Sequence, residues 1–115
     1  MKILLVEDNP KTRVMIRKVL GSTQPDIEKI IECEDENEAV DLYARHNPNW
    51  VLMDIGLKTG SGLKATERIV KADPEAKVVI VTLFDDVEYR KAAEEAGALK
   101  YVLKDRLLEI AEIVC

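Results

Sequence analysis

The chain has 115 residues, 47% of them hydrophobic and 34% charged, with only 5 Gly and 4 Pro. That length predicts one domain, residues 1–115, with a single core that needs no disulfide or structural metal, and the composition excludes disordered, collagen-like and low-complexity classes. A net charge of −5 argues against nucleic-acid binding by this segment, because phosphate contacts need a basic face.

Cys33 and Cys115 are the only cysteines. Their separation suggests neither a zinc site nor a disulfide framework, so a reducing, cytoplasmic setting is expected. The first apolar run, Ile3-Leu4-Leu5-Val6, stops at Glu7-Asp8, too early for a signal peptide. No run reaches transmembrane length, so no membrane partner is expected.

In chain order, residues 3–6 are a short strand that ends in the two acids. Asn9 at an N-cap and Pro10 at the first helical position predict a helix over 11–20, stopping at Gly21. A polar loop over 22–26 leads to a second strand over 27–33, carrying Ile27, Ile30 and Ile31 with imperfect periodicity. Ala39, Val40, Leu42, Tyr43 and Ala44 fall at helical spacing and predict a helix over 37–45. Residues 51–55 then read as a buried strand of a parallel sheet, apolar except for one carboxylate, Asp54. A loop over 56–60 precedes a helix over 63–72, closed by Asp73-Pro74. The β-branched run 78–81 ends at Thr82, and Asp85 or Asp86 caps a helix running to Ala96, with Gly97 just past its end. Residues 98–103 form a fifth strand terminated by Lys104, and 105–114 a last amphipathic helix. Strict alternation of strand and helix predicts a parallel sheet with helices on both faces and right-handed crossovers.

In open α/β sheets a ligand sits just beyond the carboxyl ends of the strands. Four strands deliver polar groups to that edge: Glu7 and Asp8, Asp54, Thr82 and Lys104. A polar residue at one strand end is ordinary. Three carboxylates together are not, because each pair repels by about 4 kcal/mol at 4 Å in an effective dielectric near 20. Mg²⁺ fits, since it takes one or two carboxylates, keeps waters and accepts a phosphate oxygen. Lys104 then serves as a point charge for that phosphate and Thr82 as a hydroxyl donor. Asp54 becomes a nucleophile that accepts a phosphoryl group as an aspartyl phosphate.

The whole chain resembles the receiver domain of a two-component response regulator, the CheY-like family. The matching segments are the acidic pair Glu7-Asp8, the acceptor segment Met53-Asp54-Ile55, Gly62 eight residues on, Val81-Thr82, Tyr101 and Lys104. The resemblance implies a doubly wound α/β fold with a five-stranded parallel sheet, flavodoxin-like, in the order 2-1-3-4-5. It implies direct Mg²⁺ coordination by Asp8, Asp54 and the backbone carbonyl of Gly56, with Glu7 acting through water. It also implies phosphorylation by a sensor histidine kinase or phosphotransfer protein, catalysis limited to the domain's own gain and loss of phosphate, and a Thr82–Tyr101 switch. That switch would remodel the face formed by the fourth helix, fifth strand and fifth helix, a possible homodimer surface. The segments 53–57 and 103–105 look most like receivers of LuxR-type DNA-binding regulators, so an output in transcription is expected. The last helix, still amphipathic near residue 115, fits either a stand-alone receiver or one followed by an output domain. A contact of Arg13, Val14 and Arg17 with a kinase rests on family analogy.

Three positions depart from the family pattern. Lys58 stands where proline is usual, which predicts a more mobile and more basic loop. Leu83 replaces a small residue after Thr82 and is expected to narrow access to Asp54. Asp105 replaces the proline that often follows the lysine; a cis bond there would cost about 2.5 to 4 kcal/mol, so the Lys104-Asp105 geometry stays open. Among rival readings, Gly60-Ser61-Gly62-Leu63-Lys64-Ala65 matches a dinucleotide fingerprint, but it comes late after its strand and no acid ends the next one. A haloacid-dehalogenase-type phosphohydrolase wants a second Asp two residues after the nucleophile, where this chain has Gly56. A degenerate receiver, acting as a phosphorylation-independent interaction module, is the alternative of another class. His46 reads as a helix-end residue, Trp50 as packing, Glu94-Glu95 as a solvated face and Cys33 as core.

Overall fold

The structure is a computed structural model and describes residues 1–114; expectations that involve Cys115 lie outside the described residues. Five strands, β1 (Lys2–Val6), β2 (Lys29–Cys33), β3 (Trp50–Met53), β4 (Val78–Thr82) and β5 (Lys100–Leu103), form one parallel sheet in the order β2-β1-β3-β4-β5. The helices are α1 (Pro10–Thr23), α2 (Glu36–His46), α3 (Gly62–Ala72), α4 (Val87–Ala96) and α5 (Glu109–Ile113). The doubly wound fold and strand order expected from the sequence are therefore present.

Alternation along the strands builds two cores. Leu4, Val6, Val51, Met53, Val78 and Ile80 face one side and pack with Ala39 and Tyr43 of α2, Ala65 and Ile69 of α3 and Ala93 of α4. Ile3, Leu5, Leu52, Val79 and Val81 face the other side with Ile16 and Leu20 of α1, and with Leu107, Ile110 and Val114. Register aligns Val6 with Met53 and Met53 with Ile80. β1 and β3 therefore end level with one another while β4 runs two residues further, to Thr82, and the residues at these strand ends meet at one edge.

Several boundaries differ from the sequence expectation. α1 does not stop at Gly21 but runs on to Thr23. Gly21 costs a helix about 1 kcal/mol relative to alanine, and local bonds outweigh that. The Ser22 and Thr23 hydroxyls donate to the Val19 carbonyl, Gln24 N–H bonds Leu20 O, and the Gln24 side chain reaches Ala111 O at 2.9 Å. The helix expected over 105–114 is broken into a 3-10 turn, Lys104–Arg106, and the short α5. Neither start has a side-chain cap, and the first amides of α5 are met by backbone carbonyls instead, Ile110 N–H by Leu107 O and Ala111 N–H by Leu108 O. β2 begins at Lys29 rather than Ile27, β5 at Lys100 rather than Ala98, and β3 ends at Met53. Asp54 N–H still donates to Val6 O at 3.0 Å, one step past the strand. Asn9 caps α1 as expected, accepting from Lys11 and Thr12 N–H. Asp86 holds the N-cap position of α4 without a side-chain bond, while Asp85 bonds Arg90 instead. No peptide bond among the described residues is cis, Lys104-Asp105 included.

Candidate functional site

The strand ends bring the predicted acids together. One carboxylate oxygen each from Glu7, Asp8 and Asp54 lies within 4.8 Å of the others. Glu7 is 1% and Asp54 6% exposed, and Asp8 is the more open of the three. Lys104, carried over the edge by β5, sets its ammonium 2.7 Å from Glu7 Oε1 and donates a hydrogen bond to Asp54 Oδ2 at 3.0 Å. Burial pushes Glu7 up to about 7, against the opposing pull of Lys104 and of the Asn9 N–H that its other oxygen accepts. Burial likewise works against the Lys104 charge, but the bonds to Glu7 and Asp54 outweigh it and hold its pKa above the usual lysine range.

One ammonium faces three carboxylates, so with all of them ionised two negative charges stay uncompensated. Glu7 Oε1 is fully buried and meets the Lys104 ammonium at 2.7 Å. An all-oxygen donor set with surplus negative charge fits a hard divalent cation such as Mg²⁺.

Thr82, fully buried at the end of β4, reaches the same edge. Its hydroxyl oxygen accepts from Phe84 N–H at 3.4 Å. The Tyr101 hydroxyl donates to Phe84 O at 2.6 Å, and the Arg90 guanidinium lies 4.6 Å above the Tyr101 ring. The Phe84 residue thus bonds both expected switch residues through its backbone. Nothing in the sequence signalled this, because an amide and a carbonyl carry no side-chain signature. Leu83 stands 74% exposed, so it forms no packed cover over Asp54.

The loop after Asp54 is tied rather than loose, contrary to the mobility expected from Lys58. Lys58 N–H donates to Glu34 O, Glu36 N–H to Thr59 O, and Ser61 N–H to the Glu36 carboxylate. Lys58 Nζ also pairs with Glu34 at 3.6 Å. Gly62 is demanded by close approach: a Cβ there would sit 1.7 Å from Asp54 O. The Gly60 and Gly62 spacing therefore serves this turn and not a dinucleotide. Gly56 is exposed, with open space where a Cβ would go.

Arg13 is closer to the site than the sequence suggested. Its guanidinium donates to Glu7 O at 2.7 Å and pairs with Glu32 and Glu34. Arg17 pairs with Glu32, and Val14 is 39% exposed. His46 ends α2 and Trp50 opens β3 at the opposite edge with Lys77 over its ring, both apart from the site. Cys33 is a core residue as expected, buried with its thiol pushed up to about 12 by burial, while its carbonyl accepts the Glu7 N–H.

Fold and site together define a doubly wound α/β protein with an acidic, lysine-clamped pocket at the carboxyl edge of its sheet. The chain belongs to the response regulator receiver domain family, whose model matches residues 3–114. It is 34% identical over 114 residues to the transcriptional regulatory protein LiaR of Bacillus subtilis, covering 98% of this chain and 54% of that one. It is 30% identical over 117 residues to the transcriptional regulatory protein DegU of Brevibacillus brevis, covering 98% and 49%. The chain spans about half the length of these curated relatives. Among solved structures it resembles a LuxR-family DNA-binding response regulator from Staphylococcus aureus, with TM-score 0.89, 28% identity and 98% and 94% coverage. A LuxR-family two-component response regulator from Aurantimonas sp. SI85-9A1 matches with TM-score 0.86 and 32% identity over 98% and 83%. Among the described residues no helix is long and apolar enough to cross a membrane.

Proposed function

We propose that residues 1–115 act as one receiver unit and that Asp54 is its phosphoacceptor. The observation that carries this reading is the placement of the Asp54 carboxylate at the end of β3, 3.0 Å from the Lys104 ammonium and inside the acidic cluster. The donor is a phosphohistidine of a sensor histidine kinase or phosphotransfer protein. An Asp54 oxygen attacks phosphorus, the new O–P bond forms as the P–N bond breaks, and the imidazole departs with the electron pair. Asp8, Asp54 and the Gly56 carbonyl, with Glu7 acting through water, would hold a Mg²⁺ ion, which would supply charge neutralisation for the transferring group. Lys104 follows the charge from the carboxylate onto the phosphoryl oxygens. The Thr82 hydroxyl leaves Phe84 N–H to donate to the phosphate, which releases the Phe84 segment and with it the bond holding the Tyr101 hydroxyl.

The consequence is a changed face on α4, β5 and α5, through which the domain pairs with a second copy or an output partner. The relatives are named transcriptional regulators, which supports an output in transcription exerted through a LuxR-type DNA-binding segment, in the cytoplasm. Catalysis by the domain is confined to its own phosphoryl gain and loss. Mass spectrometry after incubation with Mg²⁺ and acetyl phosphate or a kinase tests the assignment. A phosphoryl adduct on the native protein and none on Asp54→Asn is expected. No adduct with any donor would favour a phosphorylation-independent interaction module.

A further inference from the structure

The geometry points to Arg13 as a positioning residue for the divalent-cation site, acting through the Glu7-Asp8 peptide; this rests on the Mg²⁺ reading above. The Arg13 guanidinium donates to the Glu7 carbonyl at 2.7 Å. That carbonyl belongs to the same planar peptide unit as the Asp8 N–H, so the bond fixes the plane from which the Asp8 side chain departs. The guanidinium is itself clamped. Its Nε lies 3.2 Å from Glu32 and its NH1 3.4 Å from Glu34, and its side chain is 18% exposed. Both glutamates lie on or just after β2, whose last residue, Cys33, accepts the Glu7 N–H through its carbonyl. Glu34 in turn receives the Lys58 N–H in the loop after Asp54. Arg13 therefore links the three chain segments around the acids: the turn after β1, the turn after β2 and the loop after β3. Its planar fork suits this work, because it bonds a carbonyl and two carboxylates in fixed directions.

The sign of the effect separates positioning from simple electrostatics. A point charge beside a cation site repels Mg²⁺, so deleting one tightens binding. A positioning group does the opposite, because its loss frees the Asp8 peptide and the site must be ordered at the expense of binding free energy. Arg17, one turn further along α1, supplies the control. It pairs with the same Glu32 at 2.9 Å through a more exposed side chain, and it is Arg13, not Arg17, that bonds the Glu7 carbonyl.

Isothermal titration of the native chain and its variants with MgCl₂ alone, without phosphodonor, tests this. Arg13→Ala is expected to raise the Mg²⁺ dissociation constant several-fold, while Arg17→Ala leaves it unchanged or lowers it. Thermal melts in EDTA check folding, and Arg13→Met, which keeps the apolar stem and loses every donor, repeats the measurement should alanine unfold the chain. An unchanged or tighter Mg²⁺ affinity in both Arg13 variants overturns the inference and leaves the cation site standing. A native protein that binds no Mg²⁺ overturns the underlying reading as well.

Discussion

At the level of single residues, the site is a buried charge cluster held by one lysine. Lys104 is 13% exposed and the two acids it contacts are 1% and 8% exposed in their side chains. Removing one partner of such a pair leaves charge buried and unpaired, which costs about 3 kcal/mol. Lys104→Met is expected to lose that much stability in EDTA, read from urea unfolding midpoints, and to recover part of it when Mg²⁺ is added. Two glycines in the neighbouring loop separate backbone from side-chain demands. Gly62→Ala drives a methyl group into Asp54 O and is expected to destabilise by about 3 kcal/mol, as overpacking does. Gly56→Ala meets open space and is expected to leave thermal melting near native. Glu7, Asp8, Asp54, Thr82 and Lys104 were legible because a charged or polar residue ending an apolar strand stands out. The contacts of Arg13 with Glu7 O and of Tyr101 with Phe84 O were not, since their partners are backbone atoms.

At the level of elements, the loop after β3 is fastened to the start of α2 by Glu36, which accepts from Ser61 N–H and pairs with Arg68 at 2.9 Å. The Ser61 N–H bond, helped by Arg68 and opposed by burial, holds the Glu36 carboxyl below the usual glutamate range. A carboxylate with a lowered folded pKa contributes stability above its unfolded value and loses it as pH falls through the folded one. Glu36→Gln is expected to cost about 1 kcal/mol at neutral pH, with the gap to native closing as the solution is acidified. A constant gap across that titration would remove Glu36 from this role. Helix ends were the least legible feature at this scale. The continuation of α1 through Gly21 depends on Gln24 reaching Ala111, which lies 87 residues away in sequence. The break before α5 is a change of backbone hydrogen-bond pattern, with Ile110 N–H on Leu107 O and Ala111 N–H on Leu108 O, which amphipathic spacing does not register.

For the molecule as a whole, the acids and their lysine sit at the ends of β1, β3 and β5, so a cation held there would act on the sheet and not on one loop. A ligand that binds only the folded chain adds about 1.4 kcal/mol at tenfold above its dissociation constant. The urea midpoint of the native protein is therefore expected to rise with Mg²⁺ and the rise to shrink in Asp8→Asn. By itself the sequence determined the alternating α/β order and which polar residues fall near strand ends, because periodicity and chain breaks are local and a polar residue that closes or interrupts an apolar run lies within a residue or two of where its strand stops. Only the tertiary structure decided which strand ends adjoin, that Lys104 bridges Glu7 and Asp54, and that Arg13 and Phe84 hold the surroundings in place. Those contacts depend on sheet register and on backbone hydrogen bonds between segments distant in the chain, which no local pattern of side chains encodes.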